Sequence, residues 1–467
     1  MIKSVKINGL RGFGEENNIS FSLPNGKLGS GLNFIVGPNN TGKTTIIEAL
    51  RLHNIDNNYF GTITFSEGKR NKNNNSIINI EFVDENDDVS IIRTLPEGGS
   101  STETINCNKD DIAYCLSSRR YSDYYMNSNS NFDRNSFSIS HIVNTKNRTS
   151  TIMNYESRIF DWQKNKNKFD KILKDILGKD FDWTIEQEDN GNYYIKVLFN
   201  NKTISHTREG MGDGYWSIFT IVDTLYDFEE NKTIIIDEPE LSLHPSLRKK
   251  VINYLEDYSK TRQIIIATHS PYFISIKALI NGGNLIRTFK DEKYNIHTGS
   301  IDELDRKFFD EVSKDINSPH VFGLDGRELF FLTDHITITE GQEDVVIISK
   351  LCNDLNITTN FNLFGWGAGG YAKIKKVLHL LQNLKFRKVT AIYDGDQKKE
   401  FLEVKESYPN YNFIILPKDD IRDKNEKNNK AKEGITFENG RIKMEYKDYF
   451  INLMKSINEY NKSIENL

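Results

Sequence analysis

Cysteine is scarce in this sequence of 467 residues, with three copies at Cys107, Cys115 and Cys352. An odd number at wide spacing is unsuited to a disulfide framework or a four-ligand zinc site. The sequence also lacks any run of about 18 or more apolar residues that could span a membrane. The residues after Met1 alternate between polar and apolar, unlike the apolar core of a signal peptide. We therefore expect a cytoplasmic protein without a membrane partner.

An excess of positive charge is lacking too. Lys and Arg number 61 against 66 Asp and Glu, which gives a formal net charge of −5. Nucleic-acid binding would therefore need local clusters of Lys and Arg, because the chain as a whole is not a polycation. Hydrophobic residues at 37% and charged residues at 27% are typical of a soluble globular protein. The length favours two or three domains.

Apolar runs alternate with helical patterns along much of the chain and predict parallel α/β sheets. Residues 77–95 are predicted to form a hairpin, and no internal repeat is present. Residues 98–150 are rich in Asn, Ser and Tyr and predict an insertion, which we extend to about residue 190. A second alternation begins near residue 335, so we expect one domain over 1–325 and another over 326–467.

A phosphate-binding loop is predicted between an apolar strand and a helix. Residues 37–44 match the pattern G-x-x-x-x-G-K-[ST], whose main-chain N–H groups face phosphates. Lys43 would contact the β- and γ-phosphates of ATP, and Thr44 would bind Mg²⁺. The predicted nucleotide-binding residues of the loop are Gly37, Asn39, Asn40, Thr41, Gly42, Lys43, Thr44 and Thr45.

A second apolar strand ends in an acid pair. Asp237 is expected to bind the Mg²⁺ of the nucleotide, and Glu238 to orient or deprotonate the attacking water. Asp237 lies 237 − 43 = 194 residues beyond Lys43. Such a gap within one ATPase domain leaves room for a large insertion, in agreement with the irregular segment.

Three further features narrow the class of ATPase. Glu240-Leu-Ser-Leu-His-Pro follows the acid pair, His269 follows the next apolar strand, and Gly212 and Gly214 lie at the start of a helix upstream. In these positions they resemble the D-loop, the histidine near the γ-phosphate and the signature motif of the RecF and structural-maintenance-of-chromosomes branch of ABC ATPases. The usual Leu-Ser-Gly-Gly wording of the signature is absent. The resemblance implies a head-to-head dimer or a higher homo-oligomer, in which one subunit's signature closes over ATP held by another.

The C-terminal part carries its own acids. Glu340-Gly341 ends one predicted strand and is followed four residues later by Asp344, and Asp394-Gly-Asp396 ends another strand. Two acids around a glycine at a strand end turn towards one point, where a hard cation can bind through oxygen. The common alternative for Asp-Gly-Asp is a solvated turn. Residues 365–370 contain four glycines and are expected to form a tight turn near this site rather than a dinucleotide loop.

A Glu-Gly on one strand and an Asp-x-Asp about two strands later resemble the Toprim signature. An ABC ATPase followed by a Toprim domain resembles the overcoming-lysogenisation-defect nuclease family, to which the Gabija ATPase-nuclease subunit is related. The implied fold class is α/β, with a RecF/SMC-like ABC ATPase domain that contains an inserted segment, followed by a Rossmann-like Toprim domain. The resemblance implies metal binding by Glu340, Asp344, Asp394 and Asp396, with Asp420 as a further acid. Lys432 or Lys418 would stabilise the scissile phosphate.

The function implied is an ATP-regulated endonuclease that cuts DNA with Mg²⁺ or Mn²⁺, in defence against phage. One alternative is an ABC-type ATPase that binds DNA without cutting it, through a degenerate Toprim module. Another is a toxin-like effector that cleaves RNA and is controlled by a partner protein or a noncoding RNA. No tyrosine carries a strand-transfer motif, so topoisomerase activity is not expected.

Overall fold

The computed structural model describes residues 1–54, 65, 67–71, 77–95, 102–106, 113–116, 119–121, 149–151, 166–177, 182–187, 189, 191, 193–199, 204–207, 212–227, 233–315, 321–332, 334–424 and 431–463. They divide into two compact units, Met1–Thr298 and Gly299–Leu467. In these ranges, no helix is both long and apolar enough to cross a membrane.

A buried sheet forms the centre of the first unit. Its six strands lie in the order Ile296–Ser300, Asn284–Lys290, Leu32–Val36, Gln263–Ala267, Thr233–Asp237 and Ala113–Leu116. The last five run parallel to one another. Leu32–Val36, Gln263–Ala267 and Thr233–Asp237 are rich in Ile and buried along their whole length, as expected for strands covered on both faces. This sheet confirms the predicted α/β fold class.

Register places three strand ends side by side. Asp237 lies opposite Ala267, and Ala267 lies opposite Ile35 on the other side. The segments that follow these three strands therefore leave the sheet at the same edge. This edge carries the phosphate-binding loop, the acid pair and the loop of His269.

An antiparallel sheet completes the apolar core of the first unit. Its strands lie in the order Asn17–Ser20, Ile2–Asn8, Asn79–Asp84, Val89–Thr94 and Thr102–Ile105. Val5, Ile7 and Phe82 share one buried cluster with Ile265 of the parallel sheet and Ile46 of the first helix. The predicted hairpin over 77–95 is confirmed, with Asn79 opposite Arg93.

The insertion predicted over about 98–190 stays a prediction, and its described residues lie within the first unit. Thr102–Ile105 pairs with Val89–Thr94, and Ala113–Leu116 pairs in parallel with Thr233–Asp237 at the edge of the central sheet. The helix Lys166–Leu177 also packs within this unit, where Phe169 lies 5.1 Å from Trp183 and 5.5 Å from Phe219, between ring centroids. Short strands in a polar, Tyr-rich sequence carry too little periodicity to be recognised.

The remaining elements of the first unit surround these sheets. The other strands are Asp182–Gln187, Tyr193–Phe199 and Ile204–Thr207 in one antiparallel sheet, with Arg119–Tyr121 beside Thr149–Thr151. The helices are Lys43–Arg51, Lys166–Leu177, Asp213–Asp227, Pro245–Tyr258 and Ile276–Ile280. Pro245 at the first turn and the His244 side chain, which accepts from the Ser246 N–H, fix the start of Pro245–Tyr258.

The second unit is built on a smaller parallel sheet in the order Asn362–Leu363, Ile336–Ile338, Val389–Tyr393 and Asn412–Ile415. Asp420–Arg422 pairs in parallel with Gly434–Thr436. The helices are Glu303–Lys314, Leu324–Glu328, Gln342–Asp354, Tyr371–Asn383, Lys398–Ser407 and Lys447–Ser463. The units divide after residue 298 rather than at the predicted 325/326 boundary. One reason is that Glu303–Lys314 packs against Tyr371–Asn383, where Lys373 pairs with Asp315.

Candidate functional site

The phosphate-binding loop follows the buried strand Leu32–Val36 and leads into the helix Lys43–Arg51. Gly37 has φ of 139°, and a Cβ there would lie 2.3 Å from the main-chain oxygen of Thr288. Only glycine fits this position, because the loop passes directly over the neighbouring strand. Thr41 is held in place by its hydroxyl, which lies 2.8 Å from the Pro38 oxygen and 2.7 Å from the Thr288 hydroxyl.

The Lys43 side chain lies folded over this loop. Its Nζ donates to the main-chain oxygens of Gly37, at 2.9 Å, and Pro38, at 2.7 Å. Burial lowers the pKa of Lys43 to about 8, against the opposing effect of the carboxylates of Glu238, Asp237 and Glu240. An ammonium group in this position would gain by exchanging carbonyl partners for phosphate oxygens.

The other residues of the loop differ in their exposure to solvent. Thr44 is exposed, and the next residue, Thr45, is buried. Asn39 and Asn40 are exposed, and Asn40 has a left-handed backbone with φ of 62°.

The acid pair lies at the end of Thr233–Asp237. Asp237 is buried, and Glu238 turns the chain out of the sheet with φ of 47°. The N–H of Glu238 donates to the oxygen of Ala267 at 2.7 Å, which ties the turn to the adjacent strand. Glu238 Oε1 lies 3.8 Å from His269 Nε2. Burial, and then the charge of Lys43, lower the pKa of His269 to about 4, so this imidazole is neutral at pH 7.

Glu240 is a site residue whose role the sequence did not indicate. It is buried, and its carboxylate accepts from the Thr268 hydroxyl at 2.7 Å and from the His269 N–H at 2.5 Å. Burial raises the pKa of Glu240. Its place in a D-loop-like segment gave it no role of its own, whereas its side chain fixes the loop of His269. An acid two residues after Glu238 was the available signal.

The signature-like glycines lie near the segment after the acid pair. The helix Asp213–Asp227 begins here, and a Cβ on Gly214 would lie 2.9 Å from the main-chain oxygen of Ser242. Gly212 is exposed with open space around its Cα. Met211 lies outside the described residues.

In the second unit, two strand-end acids meet. Ile336–Ile338 and Val389–Tyr393 are adjacent and parallel, so Glu340 and Asp394 follow them at one edge of the sheet. The Asp394 N–H donates to Glu340 Oε1 at 3.0 Å. The Glu-Gly and Asp-x-Asp segments are therefore adjacent in space, 54 residues apart in sequence.

Two more carboxylates join this pair. One carboxylate oxygen each of Asp344, Asp394 and Asp420 lie within 4.8 Å of one another. These residues are 8%, 7% and 1% exposed. Asp344 also accepts from the Gly341 N–H at 2.8 Å, so it caps the helix Gln342–Asp354 while it faces the cluster. Asp420, predicted as the further acid, is part of this cluster.

The electrostatics of these buried acids are unfavourable without a cation. Burial, and then the neighbouring carboxylates of Asp344, Glu340 and Asp420, raise the pKa of Asp394 to about 9. Burial is also the main cause that raises the pKa of Glu340 to about 7 and that of Asp344 to about 6. Across the described chain, no side chain or N–H is bonded to the Asp394 carboxylate. A hard divalent ion fits this oxygen-only set of donors.

Asp396 and the basic residues complete the surroundings. Asp396 is exposed, and its Oδ2 lies 2.7 Å from the Nζ of Lys432, which also lies 3.8 Å from Asp420 Oδ2. Lys418 instead pairs with Glu433 at 2.8 Å. Of the two basic residues that the sequence left open, Lys432 is therefore the one at the acid cluster.

The glycine-rich turn over residues 365–370 packs against Glu340-Gly341. Gly367 has φ of 85°, and a Cβ there would lie 2.6 Å from the main-chain carbon and oxygen of Gly341. The N–H groups of Gly369 and Gly370 donate to the main-chain oxygen of Glu340 at 3.0 and 2.8 Å. The predicted tight turn near the site is confirmed, and its closeness fixes the backbone that carries Glu340.

The phosphate-binding loop and the acid pair follow neighbouring strands at one edge of a parallel sheet, which defines a P-loop nucleotide-binding fold. A family model described as "AAA domain, putative AbiEii toxin, Type IV TA system" matches residues 32–275, more than half of the chain. The chain belongs to this family.

Two curated relatives match shorter stretches. The chain is 30% identical over 129 residues to the Old nuclease of Escherichia phage P2. This match covers 27% of the chain and 21% of the nuclease. The chain is 29% identical over 99 residues to an uncharacterized protein of Methanocaldococcus jannaschii, which covers 21% of this chain and 12% of that protein. The match therefore spans about a fifth or less of each relative's length. With the family match, it confirms the predicted resemblance to the overcoming-lysogenisation-defect family.

Similar solved structures are heads of SMC proteins. The SMC head domain from Thermotoga maritima is 14% identical with a TM-score of 0.38, and covers 64% of this chain and 99% of that one. A second similar structure is an Smc head domain with an extended coiled coil, bound to the C-terminal domain of ScpA derived from Pyrococcus furiosus. It is 15% identical to this chain with a TM-score of 0.42, and the match covers 67% of this chain and 99% of that one.

Proposed function

We propose that this protein is an ATP-regulated nuclease that cuts DNA with a divalent metal ion held by the carboxylates of its second unit. The observation that carries the proposal is the convergence of Glu340, Asp344, Asp394 and Asp420 from distant segments into one buried cluster. Burying like charges together is costly unless a cation compensates them. A solvated Asp-Gly-Asp turn, the common alternative, would leave Asp394 exposed, whereas it is buried.

Glu340, Asp344 and Asp394 would hold the metal ion, with Asp396 at the rim of the site. A Mg²⁺ or Mn²⁺ ion bound there would polarise a phosphodiester and lower the pKa of a coordinated water. The Lys432 ammonium, held by Asp396 at 2.7 Å, would stabilise charge on the scissile phosphate.

The first unit would bind and hydrolyse ATP. Lys43 would leave the Gly37 and Pro38 oxygens for the β- and γ-phosphates, and Thr44 and Asp237 would hold Mg²⁺. Glu238 would orient the attacking water, with the neutral His269 imidazole beside it. The exposed Gly212 and the neighbouring Gly214 would close over ATP held by a second subunit, as the resemblance implies for a homodimer or a higher oligomer.

Cleavage of supercoiled plasmid tests the nuclease assignment. We expect wild-type protein with Mn²⁺ to nick or linearise the plasmid, and the Asp394→Asn plus Asp396→Asn variant to lose this activity. The exposed acid beside the cluster provides a matched control, since Asp419→Asn should cut like wild type, whereas Asp420→Asn should not. Equal cutting by wild type and the double variant would eliminate the proposal and leave a DNA-binding ATPase without nuclease activity.

The same assay with single-stranded DNA and with RNA of equal length tests the substrate. We propose DNA as the substrate, and defence against phage as the role, by resemblance to the family. Faster cleavage of RNA would instead favour a toxin-like effector controlled by a partner protein or a noncoding RNA.

A further inference from the structure

The charges around the carboxylate cluster are distributed unevenly. On one side, Glu340 and Asp394 are joined to each other through the Asp394 N–H, and within the described ranges no Lys or Arg forms an ion pair with either. On the other side, Lys424 Nζ lies 2.5 Å from Asp420 Oδ2 and 3.2 Å from Glu343 Oε2. One side of the cluster is therefore open to a cation, and the other already holds one.

The position of Lys424 is fixed by the main chain. Lys424 and Lys432 form an antiparallel bridge in which the N–H of each donates to the oxygen of the other, at 2.9 and 3.0 Å. The bridge lies two residues after Asp420–Arg422 and two residues before Gly434–Thr436, which pair in parallel. Both ammonium groups are thereby directed at Asp420.

Neighbouring contacts hold Lys424 further. Arg422 pairs with Glu343 at 2.5 Å and keeps that carboxylate beside Lys424. The Lys424 ammonium thus contacts two carboxylates, those of Asp420 and Glu343. A divalent ion at Asp420 would have to displace this ammonium or lie against it, and like charges at such a distance repel strongly in a partly buried site.

We propose that the Lys424 ammonium takes the place of a second metal ion, so that this chain's carboxylate site binds one divalent cation, between Asp344 and Asp394 beside Glu340. The inference rests on the proposed metal site and specifies its stoichiometry. In this arrangement, Lys424 is a positioning residue that holds the Asp420 carboxylate. Lys432, which pairs with Asp396, remains the basic residue that would stabilise the scissile phosphate.

Counting Mn²⁺ ions tests this directly. The full-length, nucleotide-free protein is titrated with Mn²⁺, and free Mn²⁺ is followed by its electron paramagnetic resonance signal. Wild type should bind one ion at the cluster. Lys424→Met, which keeps the aliphatic stem but removes the charge, should bind two, with dipolar broadening between them. Lys418→Met provides the matched control, because Lys418 pairs with Glu433 and should leave the count at one.

Companion variants assign each ion to a site. Asp237→Asn identifies any ion held in the first unit, and Asp394→Asn should remove the ion at the cluster. Two ions at the cluster in wild type, or an unchanged count in Lys424→Met, would overturn the inference while leaving the nuclease proposal intact. No Mn²⁺ in wild type, with Asp394→Asn identical to it, would overturn both. Thermal unfolding of each variant checks that it is folded.

Discussion

The carboxylate of Glu240 accepts the main-chain N–H of His269 at 2.5 Å and so connects the segment after the acid strand to the loop after the neighbouring strand. The Thr268 hydroxyl shares the same carboxylate at 2.7 Å. The histidine that faces Glu238 is thus positioned from behind by a second, buried acid.

Replacing Glu240 should therefore impair ATP turnover without removing any group that touches the nucleotide. Glu240→Ala leaves the Thr268 hydroxyl and the His269 N–H without their acceptor, so we expect a loss of about 2 kcal/mol in unfolding free energy. Displacement of His269 should lower the kcat of ATP hydrolysis on the order of 10- to 100-fold. Phosphate release and denaturant unfolding measure the two effects. Glu240→Gln keeps one acceptor oxygen, so its kcat and its unfolding free energy should lie between those of wild type and Glu240→Ala. An equal kcat in all three proteins would contradict the positioning role.

Two variants of the nucleotide site separate binding of ATP from its hydrolysis. Lys43→Ala removes the buried ammonium and should abolish binding of a fluorescent ATP analogue. Glu238→Gln should still bind it but hydrolyse ATP on the order of 10² to 10⁴-fold more slowly. Plasmid cleavage is then measured against ATP concentration for both variants beside wild type. If Glu238→Gln cuts just as Lys43→Ala does, turnover controls the nuclease; if it cuts like wild type, occupancy is sufficient.

The acid cluster should make the stability of the metal-free protein depend on pH. The pKa values of Asp394 and Glu340 are raised to about 9 and about 7, so the folded state holds protons that the unfolded chain releases near pH 4. Their stabilising contribution is present below about pH 4 and is lost as pH rises towards 9. We expect the Tm in EDTA to fall over pH 6–9 and the stabilisation by Mn²⁺ to grow over the same range. Asp394→Asn should weaken both trends, and a Mn²⁺ effect that does not depend on pH would argue against protons and metal sharing these oxygens.

The turn at Gly367 should be intolerant of a side chain. Gly367→Ala places a Cβ 2.6 Å from Gly341 on a backbone with φ of 85°, so we expect a loss of about 3 kcal/mol in unfolding free energy and weaker Mn²⁺ binding. Gly440→Ala is the matched control, because its φ of 72° is similar but its nearest neighbour would be the Lys350 Nζ at 3.6 Å. That variant should lose only about 1 kcal/mol and keep its metal affinity. Equal losses in the two variants would show that backbone strain, rather than contact with Gly341, decides the cost.

Sequence patterns predicted those parts of the two sites that are formed by consecutive residues. The loop from Gly37 to Thr44 and the acid pair at Asp237 each follow an apolar strand, so their composition and order were sufficient. The meeting of Glu340 with Asp394 was implied by the resemblance to the Toprim signature, and it occurs because adjacent parallel strands end at the same edge of a sheet.

Contacts between distant segments could not be predicted in this way. Lys424 reaches Asp420 because it forms a bridge with Lys432, and nothing in the Lys- and Asp-rich sequence around it specifies that pairing. The strand Ala113–Leu116 was missed for a related reason. It has four residues, and it is a strand because Thr233–Asp237 offers it a partner.

The left-handed main chain at Glu238 lowers the stability of the fold at a residue that we expect ATP hydrolysis to need. A residue with a Cβ at φ of 47° costs about 1 kcal/mol relative to glycine, and the fold bears this cost at the residue whose carboxylate we propose to orient the attacking water. Glu238→Gly would relax the turn and remove the carboxylate together. In this one variant the Tm should therefore rise while the rate of phosphate release falls, so that the protein is more stable but no longer hydrolyses ATP.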